Sequence, residues 1–309
     1  MKPVLYLNIP IAGEYMPLLT DAFDVVMATN KEERLQADAR LADVDIVLTN
    51  GSLGFSPAQI DAAPRLKLIS AFGVGIENLP VDHARAKGIL LSSGAGSNAT
   101  TVADHALALM LAAMRRVPVF DRAVHKGEWR DAYALPPILS GKRVGIVGMG
   151  RIGEGVARRV LGFDCAVGYH TRNKRDALPY TYFDNVMSLA TWCDILVLAM
   201  PGGAQTRHMV NADVLAALGA HGFLVNVARG SAVDTLALAE ALKNRTIAGA
   251  GLDVYESEPA KPEPLLGFDT LVMSPHVAGY SHEAVHGAVV LFLDNAQRVL
   301  RGEPVTSPV

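Results

Sequence analysis

The stretch Val-Gly-Ile-Val-Gly-Met-Gly-Arg-Ile-Gly, residues 144–153, decides the fold of this chain. Its apolar first half predicts a buried strand, and the amphipathic residues 154–161 that follow predict a helix. In this setting Gly148 permits a tight turn, Gly150 lets a pyrophosphate approach the backbone, and Gly153 lets the helix pack on the strand. The helix N-terminus attracts phosphates, so the stretch predicts a dinucleotide site. The alternative is a glycine turn in an ordinary βα unit.

The residues after the next predicted strand, Cys165 to Tyr169, indicate which dinucleotide binds. A carboxylate about 20 residues past the glycines would read the free ribose 2′-hydroxyl of NAD. This chain has instead His170-Thr171-Arg172-Asn173-Lys174-Arg175, without an acid. Arg172 can hold a 2′-phosphate with its forked pair of donors, so NADP(H) is predicted to be preferred over NAD(H). The alternative is a solvated basic loop.

Apolar runs alternate with helical patterns on both sides of this motif, which predicts an α/β protein with parallel sheets. Strands are predicted at residues 4–7, 45–48, 66–71, 89–91, 195–200, 222–227, 248–253 and 271–274. Helices are predicted at residues 31–41, 80–87, 100–114 and 281–300. The helix over 100–114 is almost entirely apolar, so it must be buried on several sides.

Two Rossmann-like or flavodoxin-like domains account for this pattern, with the cofactor domain inserted into the substrate domain. Crossings are expected near Asn98 and between His276 and Ser281. The substrate domain is therefore predicted to comprise residues 1–97 and 281–309, because the final helix returns to it. The NAD(P)-binding domain is predicted to comprise residues 98–280.

Composition narrows the function classes. Half of the 309 residues are hydrophobic, yet no apolar run approaches the roughly 18 residues that span a bilayer, so no membrane partner is expected. The net charge of −3 gives no reason to expect nucleic-acid binding. The N-terminus leads directly into a strand pattern without the features of a signal peptide, so the cytoplasm is the expected location.

Polar residues follow three predicted strands of the second half of the chain. Arg229 follows one strand, Asp253, Glu256 and Glu258 follow the next, and His276 follows the third. Ligands of open α/β sheets bind at the carboxyl ends of strands. An arginine can hold a carboxylate, and a histidine beside an acid can transfer a proton near neutral pH. Each residue alone could be structural, but together they predict a hydride-transfer site.

Five motifs in order resemble the D-isomer-specific 2-hydroxyacid dehydrogenase family over nearly the whole chain. These motifs are Ser70-Ala71-Phe72-Gly73-Val74-Gly75, the glycine motif, Asn226-Val227-Ala228-Arg229-Gly230, Gly251-Leu252-Asp253-Val254 and Ser274-Pro275-His276-Val277-Ala278-Gly279. The basic stretch after the second strand and the Tyr180-Thr181-Tyr182 segment are most similar to the NADP-preferring glyoxylate/hydroxypyruvate and hydroxyphenylpyruvate reductases.

The resemblance implies NADPH-dependent reduction of a 2-oxo acid to the D-2-hydroxy acid. Arg229 would bind the substrate carboxylate and carbonyl, His276 would be the general acid, and Glu258 would orient and charge His276. The backbone N–H groups of Val74 and Gly75 would hold the carboxylate, while Leu53 and Phe55 are expected to select the substrate side chain. Cofactor contacts are implied at Gly148, Met149, Gly150, Arg151, Ile152, Gly153, Thr171, Arg172, Asn173, Val227 and Asp253. The family is commonly homodimeric, through the apolar helix and an arm near Trp129.

This chain departs from the family pattern in one loop near the cofactor. Pro201-Gly202-Gly203-Ala204-Gln205 replaces the usual Pro-Leu-Thr type of loop, which predicts greater flexibility there.

Two other functions stay open at this point. His282-Glu283-Ala284-Val285-His286 fits the H-E-x-x-H pattern of zinc metalloproteases, but no third ligand is marked downstream, so no metal is expected. A dinucleotide-sensing protein of the co-repressor type shares the fold and these residues. Measurable turnover would separate an enzyme from a sensor, and bound zinc would identify the protease.

Overall fold

The computed structural model describes residues 2–309, and the chain divides into two compact units. The first unit runs to Asn98 and resumes at Tyr280, and the second comprises Ala99–Gly279. Each boundary therefore falls one residue from the predicted one. The second unit interrupts the first along the chain.

The first unit is built on a parallel sheet. Its strands are β1 (Val4–Leu7), β2 (Asp24–Met27), β3 (Ile46–Thr49), β4 (Leu68–Ala71) and β5 (Leu90–Ser93). Its first four helices are α1 (Met16–Ala22), α2 (Lys31–Asp38), α3 (Pro57–Asp61) and α4 (Val81–Ala86). The strand order is β2-β1-β3-β4-β5, which is the flavodoxin-like order. Strands β1 and β3 are buried on both faces, as near-continuous apolar runs in parallel sheets are.

The second unit has a seven-stranded parallel sheet. Its helices are α5 (Ala99–Met114), α6 (Val117–His125), α7 (Arg151–Val160), α8 (Val186–Trp192), α9 (Ala212–Leu218) and α10 (Thr235–Lys243). Its strands are β6 (Arg143–Val147), β7 (Ala166–His170), β8 (Thr181–Tyr182), β9 (Ile195–Leu198), β10 (Phe223–Asn226), β11 (Gly249–Leu252) and β12 (Leu271–Met273). The order β12-β11-β10-β9-β6-β7-β8 extends the Rossmann order by one strand. The last helix, α11 (His282–Leu300), belongs to the first unit.

These sheets confirm the predicted fold class of two parallel-sheet α/β domains. Helix α5 is buried along several faces, with Ala103, Ala106 and Met110 inaccessible to solvent, as its composition predicted. Among residues 2–309, no helix combines the length and the apolar character needed to cross a membrane.

Two strands that the sequence did not predict, β2 and β8, offer little apolar sequence. Strand β2 is an edge strand with only Val26 fully buried, and β8 is two residues long. The predicted strand from Asp45 begins one residue later, at Ile46, and the buried Asp45 carboxylate accepts a hydrogen bond from the backbone N–H of Val4 at 2.9 Å. A short edge strand lacks the long apolar run on which such predictions depend.

Candidate active site

The glycine turn links β6 to α7 with the geometry that its spacing predicts. Gly148 has a φ of 91°, a conformation that favours glycine, and a Cβ there would press on the Met200 backbone. A Cβ at Gly153 would collide with the Gly148 carbonyl oxygen. At Gly150, by contrast, a Cβ would meet no protein atom within 4 Å. The turn is thus tightly packed at Gly148 and Gly153 and open at the start of α7, the position predicted for a pyrophosphate.

Three further predicted cofactor residues surround this turn. Met149 is 2% exposed, so its backbone is the part that a cofactor can reach. Arg151 is the first residue of α7, and Ile152 packs against the core of the second unit. Because β6 and β7 are paired with Val147 opposite His170, the turn adjoins the predicted ribose-binding residues.

Some cationic side chains of the basic segment after β7 are paired with other residues that the structure describes, and one is not. The Arg175 guanidinium donates to the Met149 carbonyl and forms an ion pair with Glu154 at 2.5 Å. Lys174 pairs with Asp176 at 3.2 Å. Within the part of the chain that the structure describes, Arg172 is exposed and makes no hydrogen bond or ion pair. Its fork of donors is therefore available to an anion at this strand end.

Two predicted residues beside Arg172 are arranged by local bonds. The Thr171 hydroxyl donates to the Asn173 carbonyl oxygen at 2.7 Å, which closes the turn that carries Arg172. Asn173 is exposed.

His276 and Glu258, which the family resemblance implies to be a general acid and its orienting carboxylate, are hydrogen-bonded to each other. The Nδ1 of His276 lies 2.8 Å from Oε2 of Glu258, and the backbone N–H of Tyr255 donates to the other carboxylate oxygen at 2.6 Å. The hydrogen bond to Glu258 raises the pKa of His276 above its usual range, although burial opposes this. Burial also opposes ionisation of Glu258, but the His276 and Tyr255 hydrogen bonds hold its pKa below the usual range. The imidazole is therefore stabilised in its charged form.

The backbone at His276 is strained, with a φ of 56° in the left-handed region that non-glycine residues rarely adopt. The backbone N–H of His276 donates to the Asp253 carbonyl oxygen at 2.8 Å. The buried carboxylate of Asp253 accepts the N–H groups of Val277 at 2.9 Å and Ala278 at 2.8 Å. Strain of this kind persists only where the surroundings impose it, and Asp253 supplies that constraint here.

A second layer of hydrogen bonds supports the Asp253 carboxylate. The Ser274 hydroxyl lies 2.6 Å from Oδ1 of Asp253, and Nε2 of His105 lies 2.8 Å from the same hydroxyl. His105 is part of the apolar helix α5, so this helix supports the loop that follows β12 and carries His276, here called the catalytic loop. Sequence reasoning missed this role, because nothing in the spacing of His105 relates it to Ser274.

Arg229 extends from the segment after β10 and is partly buried. Its Nη1 donates to the Ala228 carbonyl oxygen at 2.8 Å. Its positive charge lowers the pKa of His276 and of Glu258, although less than the contacts between those two residues shift them. Val227, a predicted nicotinamide contact, is 7% exposed at the end of the same strand. The register of β10, β11 and β12 brings the three catalytic segments to one sheet edge.

Glu256, the remaining acid after β11, belongs to a separate pair. Its Oε1 lies 2.7 Å from Nε2 of His208, and its Oε2 accepts the Thr235 hydroxyl at 2.6 Å. Burial opposes ionisation, but these hydrogen bonds keep the pKa of Glu256 below its usual range. His208 has a φ of 49° and donates its backbone N–H to Ser231 at 2.8 Å. The His208–Glu256 pair therefore joins the segment before α9 to the segment after β11. The bonds to Ser231 and Thr235 also tie both residues to the chain just beyond Arg229.

The predicted substrate residues of the first unit have different surroundings. Among residues 2–309, the backbone N–H groups of Val74 and Gly75 have no hydrogen-bond partner, as an anion-binding loop requires. Leu53 is 46% exposed. The prediction for Phe55 was wrong, because this residue is 2% exposed and packs edge-on against Tyr6, with ring centroids 5.4 Å apart. Its ring belongs to the core, so it cannot select a substrate side chain.

The H-E-x-x-H pattern opens α11 but does not assemble a metal site. Nδ1 of His282 lies 3.6 Å from a Glu14 oxygen, whereas the ring of His286 lies against Tyr15 with centroids 5.9 Å apart. In residues 2–309 no group of three histidine, cysteine or acidic residues could hold a metal ion. Both histidines are exposed, and their nearest partners differ.

Comparison with known proteins places this geometry in a family. The model of the D-isomer specific 2-hydroxyacid dehydrogenase NAD binding domain matches residues 107–278. Hydroxyphenylpyruvate reductase of Plectranthus scutellarioides is 38% identical over 276 residues, covering 89% of this chain and 87% of the relative. Glyoxylate/hydroxypyruvate reductase A of Arabidopsis thaliana is 36% identical, covering 91% of this chain and 90% of the relative.

A solved structure extends the likeness to the whole chain. The NADPH-dependent glyoxylate/hydroxypyruvate reductase of Sinorhizobium meliloti, in complex with NADP and malonate, matches with a TM-score of 0.89. It is 36% identical, and the match covers 100% of this chain and 97% of that one.

The class of protein follows from the features found at one edge of the sheet of the second unit. A glycine turn with open space at Gly150 and a histidine paired with a carboxylate are the features that a dinucleotide-dependent oxidoreductase requires. The family match and the length of both reductase alignments then identify the family. The chain belongs to the D-isomer-specific 2-hydroxyacid dehydrogenase family, as its motifs predicted.

Proposed function

We propose that this enzyme uses NADPH to reduce a small 2-oxo acid, of the glyoxylate, hydroxypyruvate or hydroxyphenylpyruvate type, to the D-2-hydroxy acid. The observation that carries the proposal is the His276–Glu258 pair at 2.8 Å, on the sheet edge that also bears the glycine turn. The names of the relatives support this substrate class, since both act on 2-oxo acids of this kind.

The proposed mechanism assigns one task to each catalytic side chain. The glycine turn and Arg172 would hold NADPH, which would supply the hydride. His276 donates a proton to the carbonyl oxygen, and the raised pKa of its imidazole keeps that proton available near neutral pH. Glu258 holds the imidazole through Nδ1, which leaves Nε2 as the proton donor. The Arg229 guanidinium binds the carboxylate and stabilises the negative charge that develops on the carbonyl oxygen.

Preference for NADPH is proposed from the basic segment after β7. Arg172 is available for a 2′-phosphate, and no carboxylate stands where an NAD-type site would hold one. The similar reductase of Sinorhizobium meliloti, which is described as NADPH-dependent and was solved in complex with NADP, supports the same preference. Contacts at Thr171, Asn173, Val227 and Asp253 stay predictions.

Substrate contacts from the first unit remain part of the proposal. The unpaired N–H groups of Val74 and Gly75 support their predicted role with the carboxylate, and Leu53 remains a candidate for side-chain selection. The cytoplasmic location stays a prediction from the sequence.

The test is NADPH oxidation, with NADH in parallel, against glyoxylate, hydroxypyruvate and 4-hydroxyphenylpyruvate. We expect reduction of at least one acid, and the His276→Ala variant is expected to lower kcat by about 10² to 10⁴ while NADPH affinity is retained. Wild-type turnover in that variant would refute the role of His276. NADPH binding without turnover of any acid would refute the proposed reaction and favour a sensing role.

We propose that the enzyme is a homodimer. Five large apolar side chains around α6 and the arm that follows it are exposed: Val117, Val124, Trp129, Leu135 and Ile138. Exposed apolar patches of this kind mark surfaces that bind another protein. A second copy of this chain is the proposed partner, in keeping with the homodimers common in the family.

A further inference from the structure

Gly202 lies against the side chain of the substrate-binding arginine. It follows β9, and β9 pairs with β10, whose following segment carries Arg229. A Cβ built on Gly202 would lie 2.8 Å from Cγ of Arg229, 3.5 Å from its Cβ and 3.7 Å from its Cδ. The first distance is far below ordinary carbon–carbon contact. Any side chain at position 202 would therefore displace the Arg229 stem or the loop.

The Arg229 stem has little freedom to move aside. The contact falls on Cγ, close to the backbone, rather than on the mobile end of the side chain. At the far end, Nη1 is held by the Ala228 carbonyl oxygen at 2.8 Å. A shift at Cγ would carry the guanidinium with it.

The loop is held as well. The Thr206 hydroxyl lies 3.2 Å from the Pro201 carbonyl oxygen and 3.1 Å from that of Gly203. Further along, His208 is bound to Glu256 at 2.7 Å, and its backbone N–H donates to Ser231. The loop thus rests at one end on β9 and at the other on the segment just beyond Arg229.

We propose that Gly202 is a positioning residue for Arg229, and that the absence of a side chain at this position sets the pose of the guanidinium. The inference rests on the proposed role of Arg229 in binding the 2-oxo acid. The backbone at Gly202 lies outside the left-handed region, so an alanine there acts through its methyl group and not through backbone strain. Displacements of about 1 Å in such a group can lower the rate about 10²-fold.

The test compares Gly202→Ala with Gly162→Ala, a control in the same unit where a Cβ meets nothing within 4 Å. For Gly202→Ala we expect kcat/KM for the best 2-oxo acid to fall by about 10- to 10²-fold. The Kd for NADPH should stay at its wild-type value and the variant should remain folded at the assay temperature, although the overpacking lowers its Tm. All parameters of the control should match the wild type. Unchanged kcat/KM in Gly202→Ala would overturn the inference.

A double-mutant cycle separates positioning from general damage to the loop. If Gly202 acts through Arg229, adding Gly202→Ala to the Arg229→Ala variant should cost less than about 2-fold, because the Cγ atom that the new methyl group would meet is already absent. Losses that multiply would overturn the inference. Failure of the wild-type enzyme to reduce any 2-oxo acid would instead contradict the proposed function, so the two failures are distinguishable.

Discussion

At the scale of single residues, three acids that are neighbours along the chain have three different partners. Asp253 holds the backbone of the catalytic loop, Glu256 binds His208, and Glu258 binds His276. Their spacing after β11 predicted that acids would lie near a histidine and, through the family resemblance, which acid it would be. The partner of Glu256 was not predictable, since His208 lies 48 residues away along the chain.

The Glu258 carboxylate should set the pH dependence of reduction. Reduction needs protonated His276, so activity falls as the pH rises through the raised pKa of His276. Glu258→Gln removes the charge that raises this pKa, so the fall in activity should move to lower pH. At a pH above the pKa of His276, each unit by which that pKa falls lowers the protonated fraction of the imidazole about tenfold.

The measurement is kcat against pH in both reaction directions. Oxidation of the hydroxy acid needs neutral His276, so its activity should extend to lower pH in the Glu258→Gln variant. An unchanged midpoint in both directions would exclude Glu258 as the group that charges His276. Glu256→Gln, which alters the neighbouring pair, is the matched control and should leave the midpoint in place.

Arg172 should distinguish the two cofactors. Arg172→Ala removes the available guanidinium, so the KM for NADPH should rise about 10- to 10²-fold while the KM for NADH stays unchanged. Lys174→Ala is the control, because Lys174 is already paired with Asp176. Steady-state kinetics with each cofactor measures this, and equal losses for both would show that the 2′-phosphate is read elsewhere.

At the scale of elements, the β6–turn–α7 unit contains glycines with opposite physical roles. Gly153 is needed by the fold, because a Cβ there would strike the Gly148 carbonyl oxygen. Gly150 is not, because a Cβ there enters open space and its φ of −84° suits alanine. The spacing of the motif does not reveal this distinction, which depends on what each Cβ would meet.

The two alanine variants should therefore separate stability from cofactor binding. Gly150→Ala should keep the wild-type Tm and weaken NADPH binding about tenfold or more, because its methyl group occupies the space that the pyrophosphate needs. Gly153→Ala should be destabilised by about 1–3 kcal/mol from overpacking. Thermal unfolding and fluorescence titration with NADPH measure both. Normal NADPH affinity in Gly150→Ala would place the pyrophosphate away from this turn.

At the scale of the whole molecule, the arm, residues 126–142 between α6 and β6, exposes apolar side chains to water in a monomer, which is unfavourable. Leu135 is 97% exposed and Trp129 is 70% exposed. Contact with a second copy would remove these side chains from water, which favours association by about 25 cal/mol for each Å² of apolar surface. The arm lies between α6 and β6 of the second unit.

We therefore expect twice the chain mass of 32.8 kDa in sedimentation equilibrium. Leu135→Glu should shift the population towards the monomer, since it would bury a charge in the interface. Leu35→Glu is the control, because Leu35 is 70% exposed on α2 of the other unit and should leave the mass unchanged. A monomeric wild-type protein would contradict the proposed homodimer.

The sequence by itself determined the fold class and the family, and it predicted that Arg229, Glu258 and His276 follow neighbouring strands. This was possible because each depends on local patterns: an apolar strand, glycines at fixed spacing, and polar residues at strand ends. Parallel sheets align their carboxyl edges, so residues at those ends converge whatever lies between them. The proximity of these strand ends was predictable for this reason, whereas the choice of Glu258 among three acids came from the family resemblance.

Only the tertiary structure decided which side chains are available and which are occupied. Phe55 was wrongly predicted to face a substrate, because a single apolar residue on a loop gives no sign that it turns onto Tyr6. The support of Asp253 by His105, and the contact of Gly202 with Arg229, join residues far apart along the chain. Such contacts depend on how helices and loops pack on the sheet, and sequence periodicity does not record that packing.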